Sequence, residues 1–307
     1  MSLARPVRVF ATGAVAGTLL FTAACGGGGG GTSAGSSPSS AVGGVAKDAK
    51  LAAMVPASVK SDGKVVVATD PSYAPMEFMA QDGKTVVGVD PDLGRAIGDV
   101  LGIKFQFQPA TFDGIIPGLT SGKYELGMSS FTDTKEREKV VNFVTYFRAG
   151  TALMVPTGNP KKVSVSDNSM CGLAVGAEKG TIQADDIAAR SKKCTAAGKP
   201  AINEKVFPDQ NAVNLALTTG RIDAALADSG VAGYMAEQSG GKFETVGQPY
   251  ATAPYGIAVP KNSGRFDQAL QGAIDKLIQD GTYAKILKHW SSEQGAITKS
   301  EINAAQS

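Results

Sequence analysis

The chain has 307 residues, a length that favours two domains over one or three. Its 30 Lys and Arg nearly balance 28 Asp and Glu, and the two surplus positive charges are Arg5 and Arg8. The rest of the chain therefore lacks the basic field of a nucleic-acid-binding protein, and we expect no nucleic-acid partner. A hydrophobic content of 43% excludes disorder for most of the chain, and one His with three scattered Cys excludes the usual zinc sites, so we predict no metal and no cofactor.

Residues 1–24 have the pattern of an export signal. Arg5 and Arg8 precede a mostly apolar run that ends in the small residues Ala23 and Ala24. A charged start, a short apolar stretch and small residues before the cut are typical of a secretory signal peptide. The run of 16 residues is marginal for spanning about 30 Å of hydrocarbon, so we do not predict a permanent transmembrane helix.

Cys25 follows this segment and begins a tract of Gly, Ser, Ala and Pro that extends to about residue 44. Residues 21–25, FTAAC, resemble a bacterial lipobox, in which the Cys becomes the lipid-bearing first residue of the mature chain; Thr22 stands where Leu or Val is usual. Gly- and Ser-rich chains behave as flexible coils. We therefore predict lipidation at Cys25 and a flexible tether over residues 25–61. The alternative is ordinary cleavage that leaves a free thiol.

Further along, predicted strands and helices alternate, which indicates an α/β fold. Residues 65–68, VVVA, predict a short buried strand. A helix is predicted next, with Asp90 as its N-cap, apolar residues at helical spacing from Leu93 to Leu101, and an end at Gly102.

Two cysteines remain in the predicted exported body, Cys171 and Cys194. Exported proteins fold in oxidising surroundings, and two is the smallest number that makes a disulfide. Closing a loop of about 24 residues would contribute roughly 3 kcal/mol in the chain-entropy model. We predict that the two are bridged; the alternative is a pair of buried thiols.

The chain contains an internal repeat that predicts its architecture. Residues 113–125, DGIIPGLTSGKYE, resemble residues 211–223, NAVNLALTTGRID, at an offset of 98 residues. Each copy predicts a short helix stopped by Gly, then a strand, and the strands lead to Ser130 and Asp228. Open α/β sheets bind ligands at the carboxyl ends of their strands, so both polar residues are expected in one cleft. Chance similarity over so short a segment is the alternative.

Several segments together carry a family resemblance across residues 62–305. They are residues 69–78 (TDPSYAPMEF), 87–93 (VGVDPDL), 112–117 (FDGIIP), 128–137 (MSSFTDTKER), 180–183 (GTIQ), 220–225 (GRIDAA) and 280–283 (DGTY). In these segments the chain resembles the bacterial extracellular solute-binding proteins of family 3, the receptors of polar amino-acid ABC importers.

The resemblance implies a two-lobed periplasmic-binding-protein-like fold, with two crossing strands that let the lobes close on a ligand. The crossings should lie near residues 149–154 and 253–258. Lobe 1 is then expected at residues 62–151 plus 254–307, and lobe 2 at residues 152–253.

The resemblance also implies a set of ligand-binding residues, namely Asp70, Tyr73, Phe112, Ser129, Ser130, Thr132, Arg137, Thr181 and Asp228. In this family Arg137 matches the residue that clamps the ligand's α-carboxylate, a role suited to its planar fork of donors. Asp228 matches the acceptor for the α-ammonium. Ser130 and Thr132 match backbone and hydroxyl partners. At Ile182 the chain lacks the hydroxyl that is usual there.

Other positions concern the ligand's side chain. Tyr73 and Phe112 match residues that sandwich it, and Glu77 and Glu178 are assigned to the cleft rim or the side-chain pocket. Asp70 adds negative charge, which should disfavour an acidic ligand by repulsion. We therefore expect a basic or amide amino acid. Taken one at a time, each of these charged residues would more often be solvated surface.

The function implied is that of a receptor, anchored by lipid at the extracellular face of the cytoplasmic membrane. It would bind a polar or basic amino acid and deliver it to the permease of an ABC importer, and we expect a monomer with no catalytic residues. One alternative is an exported enzyme of the same fold, like an arogenate or prephenate dehydratase, with Glu77 or Glu178 as general acid. Another is a ligand sensor that acts through a partner.

Overall fold

The computed structural model describes residues 44–306. The predicted signal peptide and the predicted lipidation of Cys25 lie outside the described residues. Within the part that is described, no helix is both long and apolar enough to cross a membrane.

Helices and strands alternate along most of the described chain. The helices are α1 Ala49–Met54, α2 Ala57–Asp62, α3 Val89–Leu101, α4 Phe112–Thr120, α5 Lys135–Glu138, α6 Ile182–Ala196, α7 Gln210–Thr218, α8 Ser229–Gln238, α9 Phe266–Gln279 and α10 Thr282–His289. The strands are β1 Lys64–Thr69, β2 Ser72–Tyr73, β3 Glu77–Met79, β4 Val86–Val87, β5 Lys104–Pro109, β6 Leu126–Gly127, β7 Val141–Pro156, β8 Ala174–Glu178, β9 Asn203–Phe207, β10 Ala224–Asp228 and β11 Phe243–Pro260. The predicted α/β class is confirmed.

The large sheet has the strand order β5-β1-β6-β11-β7-β10-β8-β9, and β2, β3 and β4 form a small antiparallel sheet. On one side β1 runs parallel to β5 and β6, and on the other β8 runs parallel to β9 and β10. Between them the two longest strands, β7 and β11, pair antiparallel. We call the part around β5, β1 and β6 lobe 1, and the part around β10, β8 and β9 lobe 2.

Strands β7 and β11 connect the two lobes. The end of β7 pairs with β10 in lobe 2, from Thr151 to Met154, while Ala258 near the end of β11 pairs with Gly127 of β6 in lobe 1. Both predicted crossing segments lie within these strands. The division of the chain into lobes at residues 151–152 and 253–254 stays a prediction.

Each lobe has its own buried apolar clusters. In lobe 1, Leu93 and Ile97 of α3 pack with Ile274 of α9 against the sheet. In lobe 2, Leu226 of β10 packs with Ile187 of α6. The fully buried apolar faces of these helices explain the helical spacing seen in the sequence.

The internal repeat is present in the architecture. Helix α7 begins and ends 98 residues after α4, and β10 begins 98 residues after β6. Each helix is followed by a glycine with a positive φ, Gly122 at +75° and Gly220 at +71°, a conformation that glycine adopts without strain. The same local signals thus build a helix and a parallel strand in both lobes.

Two details differ from the sequence predictions. Helix α3 follows Gly88, and Asp90 is not its cap: the carboxyl group is fully buried and Oδ2 accepts hydrogen bonds from the Tyr146 hydroxyl, at 2.8 Å, and from the backbone N–H of Ser130. Helices α1 and α2 occupy the end of the predicted tether and bury Val59, so the folded body begins before residue 62.

Cys171 and Cys194 form the predicted disulfide, with their Cα atoms 5.6 Å apart. The bond joins the segment that leads into β8 to α6, and the side chain of Cys194 lies in the lobe 2 core. The prediction of a bridge in place of two thiols is confirmed.

Candidate functional site

A small cavity lies between the two lobes. All of the residues predicted to bind ligand line it, and they are joined there by Glu77, Ile182 and Gln183; the predicted set is Asp70, Tyr73, Phe112, Ser129, Ser130, Thr132, Arg137, Thr181 and Asp228. Residues far apart in the sequence are thus brought to one place. That they bind a ligand stays a prediction.

The carboxyl ends of four strands supply much of the cavity wall. Asp70 directly follows β1, Ser129 and Ser130 follow β6, Thr181 lies shortly after β8, and Asp228 is the last residue of β10. Parallel strands that end at one edge of a sheet expose polar ends there. The sequence repeat predicted this placement for one residue of each lobe, and the structure has both in the same cavity.

The guanidinium of Arg137 is held between the lobes. Thr134 caps the short helix α5, its hydroxyl accepting from the N–H of Arg137 at 3.2 Å. Nη1 of Arg137 donates to the carbonyl of Thr132 in lobe 1 at 2.8 Å, and Nη2 donates to the carbonyl of Gly180 in lobe 2 at 2.9 Å. Its central carbon lies 5.4 Å from the ring centre of Phe112, a cation–π distance. The side chain therefore presents its charge at the cavity in one fixed orientation.

Asp228 lies on the lobe 2 side, where it is 5% exposed. Its carboxylate accepts from the Tyr73 hydroxyl at 3.2 Å and from the Gln183 amide at 2.8 Å. Burial raises the pKa of Asp228 to about 6, and the hydrogen bonds and Arg137 oppose that rise. The sequence assigns Gln183 of the GTIQ motif no role. It is the second residue of α6, and nothing in the sequence signals that it reaches a carboxylate 45 residues away.

Asp70 is fixed at the start of helix α4. Its Oδ2 accepts from the backbone N–H of Phe112 at 3.0 Å, and its own N–H donates to the Ser129 hydroxyl at 2.8 Å. Burial raises the pKa of Asp70, and the hydrogen bonds to Ser72 and Phe112 oppose the rise. The charged group thus faces the cavity from lobe 1.

Glu77 and Asp90 form a buried carboxyl pair in lobe 1. The hydroxyls of Ser129 and Ser130 donate to the two oxygens of Glu77, at 3.3 and 3.0 Å. Burial, and then the charge of Asp90, raise the pKa of Glu77 well above its usual range, and burial raises that of Asp90 to about 7. Both carboxyl groups therefore keep a proton to higher pH than free carboxyl groups do. Glu77 lies at the cavity, as predicted.

Glu178 ends β8 and is 1% exposed. Neither of its carboxyl oxygens accepts a hydrogen bond from a donor group of the described residues. Burial, together with the negative charges of Asp70, Asp209 and Asp228, raises its pKa to about 10. Glu178 does not line the cavity itself. Its carboxyl group lies against that of Asp70, and Asp70 does line the cavity.

The site is strongly electronegative. Six carboxyl groups from both lobes lie at or near it: Asp70, Glu77, Asp90, Glu178, Asp209 and Asp228. Arg137 is the cation that faces Asp228 across the cavity. Elsewhere too, the described residues offer no cluster of three or more His, Cys, Asp or Glu arranged to hold a metal ion. Such a cavity suits a ligand that carries positive charge and several hydrogen-bond donors.

The buried carboxyls predict how stability depends on pH. A carboxyl whose pKa is raised in the folded state binds protons more tightly there than when unfolded, so it stabilises the fold at low pH and that stability is lost as the pH rises through the folded value. For Asp90 this stability is lost as the pH rises from about 4 to the folded pKa of about 7. For Asp228 it is lost between about pH 4 and the folded pKa of about 6. We expect the free energy of unfolding, measured with urea at fixed temperature, to be lower at pH 8 than at pH 5. Asp90→Asn should reduce the difference. A free energy of unfolding that rises from pH 5 to pH 8 would contradict the raised pKa values of these buried carboxyl groups.

Fold and cavity together define a two-lobed α/β protein that holds a small ligand between its lobes. The model of the bacterial extracellular solute-binding proteins, family 3, matches residues 65–293. The chain belongs to this family, whose members are extracellular.

Individual relatives agree. The chain is 34% identical over 255 residues to the arginine-binding protein ArgT of Corynebacterium glutamicum, which covers 83% of each protein. An ancestral arginine-binding protein solved with arginine superimposes with a TM-score of 0.69 at 34% identity, over 74% of this chain and 98% of that one. An ancestral arginine-binding protein bound to glutamine superimposes with a TM-score of 0.67 at 35% identity, over 75% of this chain and 99% of that one.

These relatives settle two of the sequence predictions. The two-lobed fold is confirmed, because the arginine-bound relative has it. The relatives are binding proteins, so the interpretation of the chain as a binding protein of an amino-acid ABC importer, and not as an enzyme, is confirmed as well.

Proposed function

We propose that the protein binds arginine, or another amino acid with a cationic side chain, in the cavity between its lobes. The observation that carries the proposal is the acidic pair of Asp70 and Glu178: two buried carboxyl groups with no cation from residues 44–306 between them. An amino acid with a cationic side chain supplies that charge. The arginine-binding relative ArgT supports the same ligand class.

The poles of the ligand have separate partners. The fork of Arg137 takes the α-carboxylate through two parallel hydrogen bonds, which a carboxylate accepts well. Asp228 accepts from the α-ammonium, with Tyr73 and Gln183 holding it in place. Ser130 and Thr132 provide further polar contacts on the lobe 1 side. The ligand's side chain then passes the faces of Tyr73 and Phe112 and ends at Asp70.

Contacts that join the lobes would stabilise the closed form around the ligand. Lys179 of lobe 2 pairs with Asp113 of lobe 1 at 2.8 Å. The Ser72 hydroxyl accepts from the backbone N–H of Gln210 at 3.1 Å. Each of these bonds breaks when the lobes separate, so a ligand that bridges the lobes favours closure.

Delivery to the permease of an ABC importer completes the proposed role. A lipid on Cys25 would hold the protein at the extracellular face of the membrane, and the Gly- and Ser-rich tract would leave it free to turn. The protein would act as a monomer, with lobe 1 formed by the folded body up to residue 151, helices α1 and α2 included, together with residues 254–307, and lobe 2 by residues 152–253.

A thermal-shift screen over the amino acids tests the ligand. We expect arginine to give the largest rise in melting temperature, followed by lysine, while glutamate gives none because it would add charge to an acidic site. A ligand at 100 times its Kd should stabilise the protein by about 2.7 kcal/mol. D-arginine is the matched control, since it carries the same charges with the α-groups misplaced. A screen in which glutamate stabilised the protein most would overturn the proposal.

Mass spectrometry of the membrane fraction tests the anchor. In cells that produce the full chain, Cys25 should carry lipid and the protein should sediment with membranes. Cys25→Ser should shift the protein into the medium, because removing the acyl chains removes most of the membrane affinity. Recovery of an N-terminal peptide that contains an unmodified Cys25 from membranes would refute the anchor.

A further inference from the structure

Asp70 and Glu178 meet across the boundary between the lobes. Asp70 follows β1 in lobe 1, and Glu178 ends β8 in lobe 2. The two residues are 5% and 1% exposed, and their carboxyl groups lie within hydrogen-bonding reach of each other. The pair exists only while the lobes are closed, because each lobe supplies one member.

The groups that face this pair do not neutralise it. Toward Glu178 the neighbouring elements present Asp209, Asp228 and the phenol of Tyr73, and toward Asp70 they present Asp209, the Ser72 hydroxyl and the N–H of Phe112. The charge of Asp70 also raises the pKa of Glu77.

The cations of the neighbouring segments have other partners. Lys179, next in sequence, pairs with Asp113 at 2.8 Å, and Arg137 donates to the carbonyls of Thr132 and Gly180. Two contacting carboxylates in a dry site repel strongly, so a closed form with both ionised requires a positive partner between them.

We propose that in the closed protein the contact between Asp70 and Glu178 holds either a cation or a proton, so that the ligand's charge decides whether binding takes up a proton. The inference rests on the proposed function. With arginine bound, both carboxyl groups are ionised and the guanidinium lies between them. With a neutral ligand bound, one proton from solvent joins the pair as a carboxyl–carboxylate hydrogen bond. No bond to carbon changes; the proton count alone differs.

A consequence follows for ligand choice. Whatever form the ligand-free protein takes, the closed complexes with a cationic and with a neutral ligand differ by one bound proton. Linkage then requires that the ratio of the two affinities changes by about tenfold per pH unit wherever the two complexes keep these protonation states. The protein would thus bind amide ligands best in acid surroundings and strongly prefer cationic ones at higher pH. Glu178 is the specificity-determining residue in this scheme.

Titration calorimetry with arginine and citrulline tests the inference. Citrulline has nearly the shape of arginine and lacks its charge. Runs at pH 7.5 in phosphate and in Tris, which differ in ionisation enthalpy, give the number of protons exchanged with each ligand. We expect citrulline to take up about one proton more than arginine, and its affinity to fall by about tenfold per pH unit relative to that of arginine from pH 6 to 8.

Variants separate the pair from its surroundings. Glu178→Gln should remove the proton difference and bring the two affinities close together, because the amide donates to Asp70 as the protonated acid would. Asp113→Asn is the matched control: it too removes a carboxylate at the boundary between the lobes, and it should leave the proton difference intact.

The outcomes are distinct. If both ligands bind with equal proton counts, or if citrulline binds at no pH while arginine does, the exchange is refuted and the proposed function stands. If arginine itself fails to bind, the proposed function falls and the inference falls with it. A proton difference that survives in Glu178→Gln would place the titrating group elsewhere and would also refute the assignment.

Discussion

Arg137→Ala and Asp228→Ala should each abolish most of the affinity for arginine. Truncating one partner of a buried charge pair costs about 2–5 kcal/mol in binding, which corresponds to roughly 30-fold to 4,000-fold in Kd. Arg137 is the guanidinium fixed at the boundary between the lobes, and Asp228 is the buried acceptor opposite it. Without either side chain, one charged end of the amino acid would be buried without its partner.

Calorimetry with arginine measures this loss. Arg137→Lys should recover only part of the affinity, because an ammonium keeps the charge but not the planar fork. Arg265→Ala, which removes an exposed arginine outside the cavity, is the matched control and should bind as wild type does. Circular dichroism shows that each variant is folded. Binding within twofold of wild type by either Arg137→Ala or Asp228→Ala would mean that the ligand sits elsewhere.

The sequence predicted the lining of the cavity well because most of that lining is defined by where strands end. The repeat placed Ser130 and Asp228 after equivalent strands, and equivalent strands of two facing lobes end at the same cleft. The resemblance to family 3 supplied the remaining positions. Periodicity and Gly signals likewise predicted the helix that ends at Gly102 and the repeated helix–strand units.

What the sequence could not predict depends on contacts between distant segments. Asp90 stands where a helix cap is expected, and only the packing of Tyr146 against it shows that it is a buried carboxyl group. Gln183 and Glu178 acquire their roles from residues of other elements, Asp228 and Asp70. The end of the tether was misplaced because α1 and α2 are short helices whose order comes from tertiary packing rather than from strong local signals.

Gly88 predicts a second large effect, on stability. It joins β4 to α3 with φ +132° and ψ −174°, a region of backbone space that is essentially restricted to glycine. A Cβ there would lie 2.8 Å from the carbonyl oxygen of Pro75 and closer still to that of Met76. Those carbonyls accept the N–H groups of Val89 and Asp90, at 3.1 and 2.9 Å, so the contact cannot open without breaking both bonds.

We expect Gly88→Ala to lower the free energy of unfolding by about 2–6 kcal/mol, the sum of about 1–3 for the strained backbone and about 1–3 for the clash. Gly83→Ala is the matched control in the neighbouring turn, where φ is +63° and no atom lies within 4 Å of a Cβ. That change should cost only about 1–2 kcal/mol, for the left-handed backbone alone. Guanidinium unfolding followed by circular dichroism compares the two. Equal losses would show that the Met76 carbonyl yields easily, and that the close approach of α3 to Glu77 does not depend on glycine.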